Sequence, residues 1–570
     1  MSSPKFPEPP PSMPATPLSE VDKALEKLAA NADRWVNTTV AERIALLRRC
    51  MVDTAAVGAD WVDAACRAKG ISLESHRSGE EWTAGPMCMV RNARLFAEAL
   101  EAGAAPTPNW VKARPDGQLV AEIFPHGLQE KLMFAGITGE VWMMPGATAS
   151  QGALYRDKAA GKVGTGHVGL VLGAGNVSSI GPMDALYKLI IDDEVVIIKT
   201  NPVNAYLGPY WERSLAAFVE AGFVAVVHGG AEVGVHLTQH PLVYSIHITG
   251  SDKTHDAIVW GTDPADVALR KAEGRQLTNK PISSELGCVT PVIVVPGNWS
   301  KADIRFQARQ VAGMVANNAS FNCNAAKVLV TSKDWPQRQE FMDAVYQALS
   351  EAQPRKAYYP GAQQRYRGFL ERYPQAKPTA TVSDEVIPWT LIPDIKPEDG
   401  EYGLTTEAFC GILAETALPG ADAESFLRNA VPFANDEVWG TLSCVMLIDG
   451  ASAKAAASTL DWAIANLRYG GIGINIWSGL CYGFVSPTWG AFPGHTNEDI
   501  RSGRGVVHNT FLFDHPQKSV LKAPFRINPT PAWFADNKTL HILGRKMTDF
   551  EAAPSFFKLL TSIIPTALRG

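Results

Sequence analysis

Between residues 168 and 249 the chain repeats one pattern. A short, almost wholly apolar run rich in Val and Ile is followed by a stretch with helical spacing. The apolar runs fall at 168–172, 195–199, 223–228 and 243–249, with helices predicted at 182–191, 210–221 and 232–239 between them. A strand that is apolar on both faces needs cover on both, and a parallel sheet packed between helices supplies it. The spacing therefore predicts a doubly wound, nucleotide-binding type of α/β sheet.

A second set of apolar runs at 292–295, 327–331 and 444–448, with helix candidates at 301–316 and 451–467, reads as a second α/β domain. At 570 residues, 46% of them apolar and 19% charged, the chain has the length for two or three cores. Residues 19–105 read as helices, with Thr39 and Glu42 at capping-box spacing before a stripe of Ile44, Leu47 and Met51. A second helical stretch covers 87–100, and strands are expected at 119–125 and 139–145. Prolines 360, 374, 378, 388, 393 and 397 predict loops from 358 to 406. Seven of the first seventeen residues are proline, which reads as a disordered arm. Beyond Asn509 runs an extended tail ending in an apolar stretch of helical spacing at 556–564.

A formal charge of −6 offers no surplus to neutralise phosphates, so nucleic acid is not an expected partner. No apolar run is long enough to span a bilayer, and no signal segment precedes the arm. The eight cysteines are dispersed without a C-x-x-C pair, which predicts a reducing cytoplasm, no metal site and mostly inert thiols. Cys323 is the exception, because Asn317, Asn318, Asn322 and Asn324 surround it with the polar loop a reactive thiol needs. Glu285 also stands out as a carboxylate set between two apolar stretches.

Three segments together resemble the aldehyde dehydrogenase superfamily: 284–287 (Ser-Glu-Leu-Gly), 317–325 (Asn-Asn-Ala-Ser-Phe-Asn-Cys-Asn-Ala) and 407–409 (Glu-Ala-Phe). They occur in the family's order, and the resemblance runs from about Val21 to about Asn509. It implies a Rossmann-type cofactor domain (19–117 and 148–284), an α/β catalytic domain (285–505) and a β-hairpin oligomerisation element (118–147 and 506–520). An arm (1–18) and a C-terminal extension (521–570) flank them.

For the site, the resemblance implies Cys323 as nucleophile and Glu285 as the base that activates a deacylating water. Asn176 would stabilise the oxyanion together with a backbone N–H. Lys199 would meet the adenosine ribose, and Gly250 and Ser251 the pyrophosphate at a helix start. Glu407 and Phe409 would hold the nicotinamide riboside. Read without the family, these residues are a turn Asn, a surface Lys, a helix cap, a surface carboxylate and a core aromatic. The implied partners are NAD or NADP, a small aldehyde and further copies of the chain in a homodimer or homotetramer.

Departures from the pattern matter. Asn201-Pro202 follow Lys199-Thr200 where a carboxylate favouring NAD is common, which leaves NADP admissible. Cys288, Ser320-Phe321 and Cys410 replace smaller or more polar residues and are expected to reshape the approach to the thiol. The Lys-x-x-Pro segment also resembles CoA-acylating members, against which Glu285 argues for hydrolysis. A scaffold that kept the fold without activity is the non-enzymatic alternative. For the apolar tail, packing on a neighbouring subunit is favoured over gating a substrate channel or resting on a membrane surface.

Overall fold

The computed structural model describes residues 6–570, and the first five positions of the proline-rich arm lie outside them. Residues 6–17 form no helix or strand, although Thr16 N donates to His228 O at 3.0 Å. Helices Leu18–Val36, Val40–Ala68 and Cys88–Glu101 follow. The Thr39–Glu42 capping box forms with both of its hydrogen bonds, and Leu47 and Met51 turn inward below it. Arg43 is buried on the same helix, stacked 4.2 Å from the Trp35 ring and paired with Asp193 at 2.5 Å.

The repeat read from the sequence is a parallel sheet. Its strands Ile282–Glu285, Val243–Thr249, Val168–Leu172, Val195–Lys199 and Val224–Val227 are neighbours in that order, with Gly503–Arg504 antiparallel at one edge. From Val168–Leu172 the chain builds first to one side and then to the other, so the switch point lies between that strand and Val243–Thr249. Helices of the N-terminal layer close one buried cluster with this sheet.

A second sheet has eleven strands. Its centre is parallel: Gly471–Ile474, Ser443–Leu447, Thr290–Val294, Ala326–Ser332 and Ile412–Leu418 are successive neighbours. The hairpin of Leu119–Phe124 and Thr138–Met143 extends one end of it through Pro516–Lys522, which pairs antiparallel with Thr138–Met143 and parallel with Gly471–Ile474. The expected oligomerisation element therefore adds onto the chain's own sheet. Residues Val506–His508, expected beside the hairpin, pair instead with Thr488–Gly490.

Other differences are local. The helix expected over 451–467 breaks at Ala456 into Gly450–Ala455 and Ala457–Asn466. The loop expected over 358–406 contains the helix Ala362–Arg372, because Pro360 and Pro374 flank it without entering it. The tail is not extended: helix Leu540–Ala552 precedes the expected apolar turns at 556–567. It packs on the chain's own N-terminal helices. Among the described residues no helix is long and apolar enough to cross a membrane.

Candidate active site

Cys323 lies just past the C-terminal end of the helix Lys301–Ala316, after the turn Asn317–Ser320. Asn318, Ala319 and Ser320 take φ of +50°, +55° and +67° in succession. Left-handed backbone at non-glycine residues costs about 1–3 kcal/mol each, so the surroundings must hold the turn in place. Asn318 does much of this. Its Nδ2 donates to Asn176 O at 2.9 Å and to Asn322 Oδ1 at 3.0 Å, while its Oδ1 accepts from Lys69 Nζ at 3.0 Å and Tyr358 OH at 2.9 Å. Its backbone N–H donates to Glu80 Oε2 at 3.1 Å, and Lys327 Nζ holds Asn322 O at 2.9 Å.

This turn carries Cys323 Sγ to 3.3 Å from Glu285 Oε1, with the thiol donating. Of the eight cysteines, Cys323 alone is partly exposed; the other seven are buried. Glu285 ends the strand Ile282–Glu285, is buried, and its Oε2 has no hydrogen-bond partner among the described residues. Burial pushes its carboxyl up to about 7, Asp184 adding to the shift and the Trp489 indole opposing it. Burial, reinforced by the Glu285 and Glu407 carboxylates, also raises the Cys323 thiol. The thiol in this form therefore carries its proton, with a carboxylate poised to accept it.

Asn176 is buried beside the turn, its Nδ2 donating to Phe321 O at 2.9 Å. An amide nitrogen has two N–H groups, so one donor is left over. Glu407 borders the turn from another side, 3.3 Å from Lys327 Nζ. A Cβ on Gly287 would lie 2.1 Å from Glu407 Oε2, so only glycine leaves room for that carboxylate. Phe409 packs in an aromatic group, its ring centroid 5.0 Å from that of Tyr359 and 5.8 Å from that of Phe321. Cys288 and Cys410 are fully buried, in the same packed cluster that Cys323 borders.

Lys199 and Gly250 lie in a separate crevice of about 1120 Å³ at the carboxyl ends of the strands, where the chain switches direction. Among the described residues Lys199 Nζ hydrogen-bonds only Thr200 O, at 3.3 Å, and burial lowers its pKa. A Cβ on Gly230 would meet nothing within 4 Å, and one on Gly250 only Ile248 Cγ2 at 3.9 Å. Ser251 is the N-cap of Asp252–Val259, its Oγ accepting from Thr254 N at 3.2 Å. The structure thus gathers Cys323, Glu285, Asn176, Glu407 and Phe409 around one turn and sets Lys199 and Gly250 at the crevice, with Ser251 next along the chain. Lys69, Lys327 and Tyr358 were not singled out from sequence, and Asn318 only as a polar neighbour of Cys323. Lys69 lies 249 residues from Asn318, and no local pattern links them.

Residues 195–363 match the profile of the aldehyde dehydrogenase family. Solved structures match by fold over most of the chain. Aldehyde dehydrogenase 21 from Physcomitrella patens, in complex with succinate, has a TM-score of 0.59 at 13% identity, covering 91% of this chain and 95% of its own. The NADP-dependent glyceraldehyde-3-phosphate dehydrogenase of Bacillus halodurans, complexed with NADP, has 0.58 at 15% identity, covering 89% and 92%. A Mycobacterium tuberculosis aldehyde dehydrogenase complexed with NAD+ has 0.57 at 16% identity, covering 91% and 92%. No curated protein sequence matches. The profile match covers 195–363 alone, and over most of its length the chain shares the fold of solved aldehyde dehydrogenases.

Proposed function

We propose that the protein oxidises an aldehyde to a carboxylic acid with NAD or NADP, through a thioester on Cys323. The observation that carries this reading is the Cys323 Sγ–Glu285 Oε1 contact at 3.3 Å. Glu285, its carboxyl pushed up to about 7 by burial, takes the thiol proton as the sulfur attacks the carbonyl carbon. The oxygen that becomes negative needs donors, and the spare Asn176 N–H and the Cys323 backbone N–H are the groups at hand.

The crevice fits a nicotinamide dinucleotide on its own features. It lies at the topological switch point, and its glycines leave space for a close ligand beside Lys199. When bound, the cofactor supplies the hydride acceptor that turns the thiohemiacetal into a thioester. No aspartate or glutamate lines the crevice among the described residues, while Lys199 and Lys280 do, so a 2′-phosphate meets no opposing charge. Glu407 and Phe409 are placed to bound the nicotinamide end. Once it has released that proton to solvent, Glu285 takes a proton from the water whose oxygen attacks the thioester carbon, and the C–S bond breaks to free the acid and return Cys323 to its thiol.

The test is aldehyde-dependent NAD(P)H formation with and without coenzyme A, in the natural protein and in Cys323→Ala. The expected result is activity without coenzyme A that falls at least about a thousandfold in the variant. A strict requirement for coenzyme A identifies the acylating alternative, and no aldehyde-dependent signal in either protein identifies the inactive scaffold.

A further inference from the structure

A second cavity, of about 270 Å³, shares no lining residue with the crevice around Lys199. Its inner end is bounded by Asn322 and Asn324, on either side of Cys323, and by Val177, which follows Asn176. The Trp477 indole fixes this end by donating to Asn324 O at 2.9 Å. Met87, Phe134 and Tyr482 make part of its wall. The rest comes from the C-terminal tail: Trp533, Leu543, Met547 and Ile563. Arg91 and Glu551 also border it but are bonded to each other at 2.9 Å, and Glu80 is bonded to Arg355 at 3.0 Å. The space these residues leave is apolar.

The tail is docked as a fixed wall. A Cβ on Gly79 would lie 2.3 Å from the Leu540 carbonyl carbon, one on Gly313 2.6 Å from Trp533 O, and one on Gly544 2.6 Å from Trp82 Cβ. At three places, then, tail and framework approach so closely that only a hydrogen fits. Glu551, fully buried, binds Arg91 and Arg94 together. Buried Phe550, Leu559 and Ile563 fold the tail onto itself, with Met133 from the hairpin connection packed against them.

We propose that this tail builds the outer wall of the aldehyde channel and selects a substrate whose carbonyl is carried on an apolar chain or ring. The inference rests on Cys323 being the nucleophile. Its physical content is that apolar carbons leave water for the Leu543–Met547 wall, a gain of about fourfold in kcat/KM for each buried methylene. Catalytic efficiency should then rise along the series propanal, hexanal, decanal.

The experiment compares Leu543→Trp and Trp533→Ala with the natural protein across that series, with NAD and NADP supplied. Filling the channel in Leu543→Trp lowers kcat/KM for decanal at least about tenfold more than for propanal. Emptying it in Trp533→Ala moves the preference toward longer chains. A parallel fall for all three aldehydes in Leu543→Trp, or no change for decanal, overturns the proposal. Calorimetric titration of Cys323→Ala protein with decanoic acid, with and without the Leu543→Trp change, separates the two claims. Decanoate binding that Leu543→Trp abolishes, together with no aldehyde oxidation by the natural protein, sinks the catalytic reading and leaves the apolar channel standing. Aldehyde oxidation without decanoate binding sinks the channel alone.

Discussion

At the scale of single residues, the site depends on a carboxyl that is costly to bury. Glu285 has lost its water, and its proton affinity has risen to about 7. A base must be ionised to work, so deacylation should weaken as pH falls below about 7 and level off above it. In Glu285→Gln the ability to accept a proton is gone. Turnover should fall by about a hundredfold to ten-thousandfold, and what remains should lose the limb near neutrality. Steady-state rates across pH for both proteins check this, and an unchanged limb in the glutamine variant would assign the titration to another group. Cys323 and Glu285 both stood out in the sequence, one by its polar neighbours and one as a charge among apolar runs. Their 3.3 Å contact could not be read there, since it depends on one strand and a left-handed turn after a helix converging.

Among the elements, those with strong local signals were legible. The helix at 301–316 and the strand at 243–249 match their sequence readings to the residue, because continuous spacing and clear caps leave little choice. The tail helix Leu540–Ala552 was not, because its periodicity is broken by Gly544 and it lacks a side-chain cap. Tertiary contact settles its place. The buried Arg91–Glu551–Arg94 group is the anchor, and Glu551→Ala leaves two guanidinium groups without their shared partner. Breaking a buried pair on one side costs about 3–5 kcal/mol, so a lower denaturation midpoint is expected for Glu551→Ala. Chemical denaturation of the two proteins measures it. A loss below about 1 kcal/mol would mean the tail is held mainly by its apolar contacts.

For the whole molecule, two sheets divide the labour. The smaller parallel sheet opens its crevice where chain direction reverses, and the larger sheet carries the cysteine turn against it. Because Pro516–Lys522 has a neighbour of its own chain on each side, the hairpin seam offers no free strand edge at that position. The crevice charge makes a prediction at this scale: with Lys199 and Lys280 present and no lining carboxylate, kcat/KM with NADP should equal or exceed that with NAD. Steady-state kinetics with both cofactors decide it, and a strong preference for NAD would show that another group reads the ribose.

Sequence alone determined the class of fold, since apolar strands alternating with helices have few ways to bury both faces. It also determined which sulfur is chemically distinct, because only Cys323 sits in a run of asparagines. Tertiary structure decided the rest: which carboxylate meets that sulfur, where the hairpin seats, and that the tail walls an apolar cavity beside the cysteine turn. Those outcomes depend on contacts between residues hundreds of positions apart. No local spacing encodes such contacts, and only closure of the packed core selects among them.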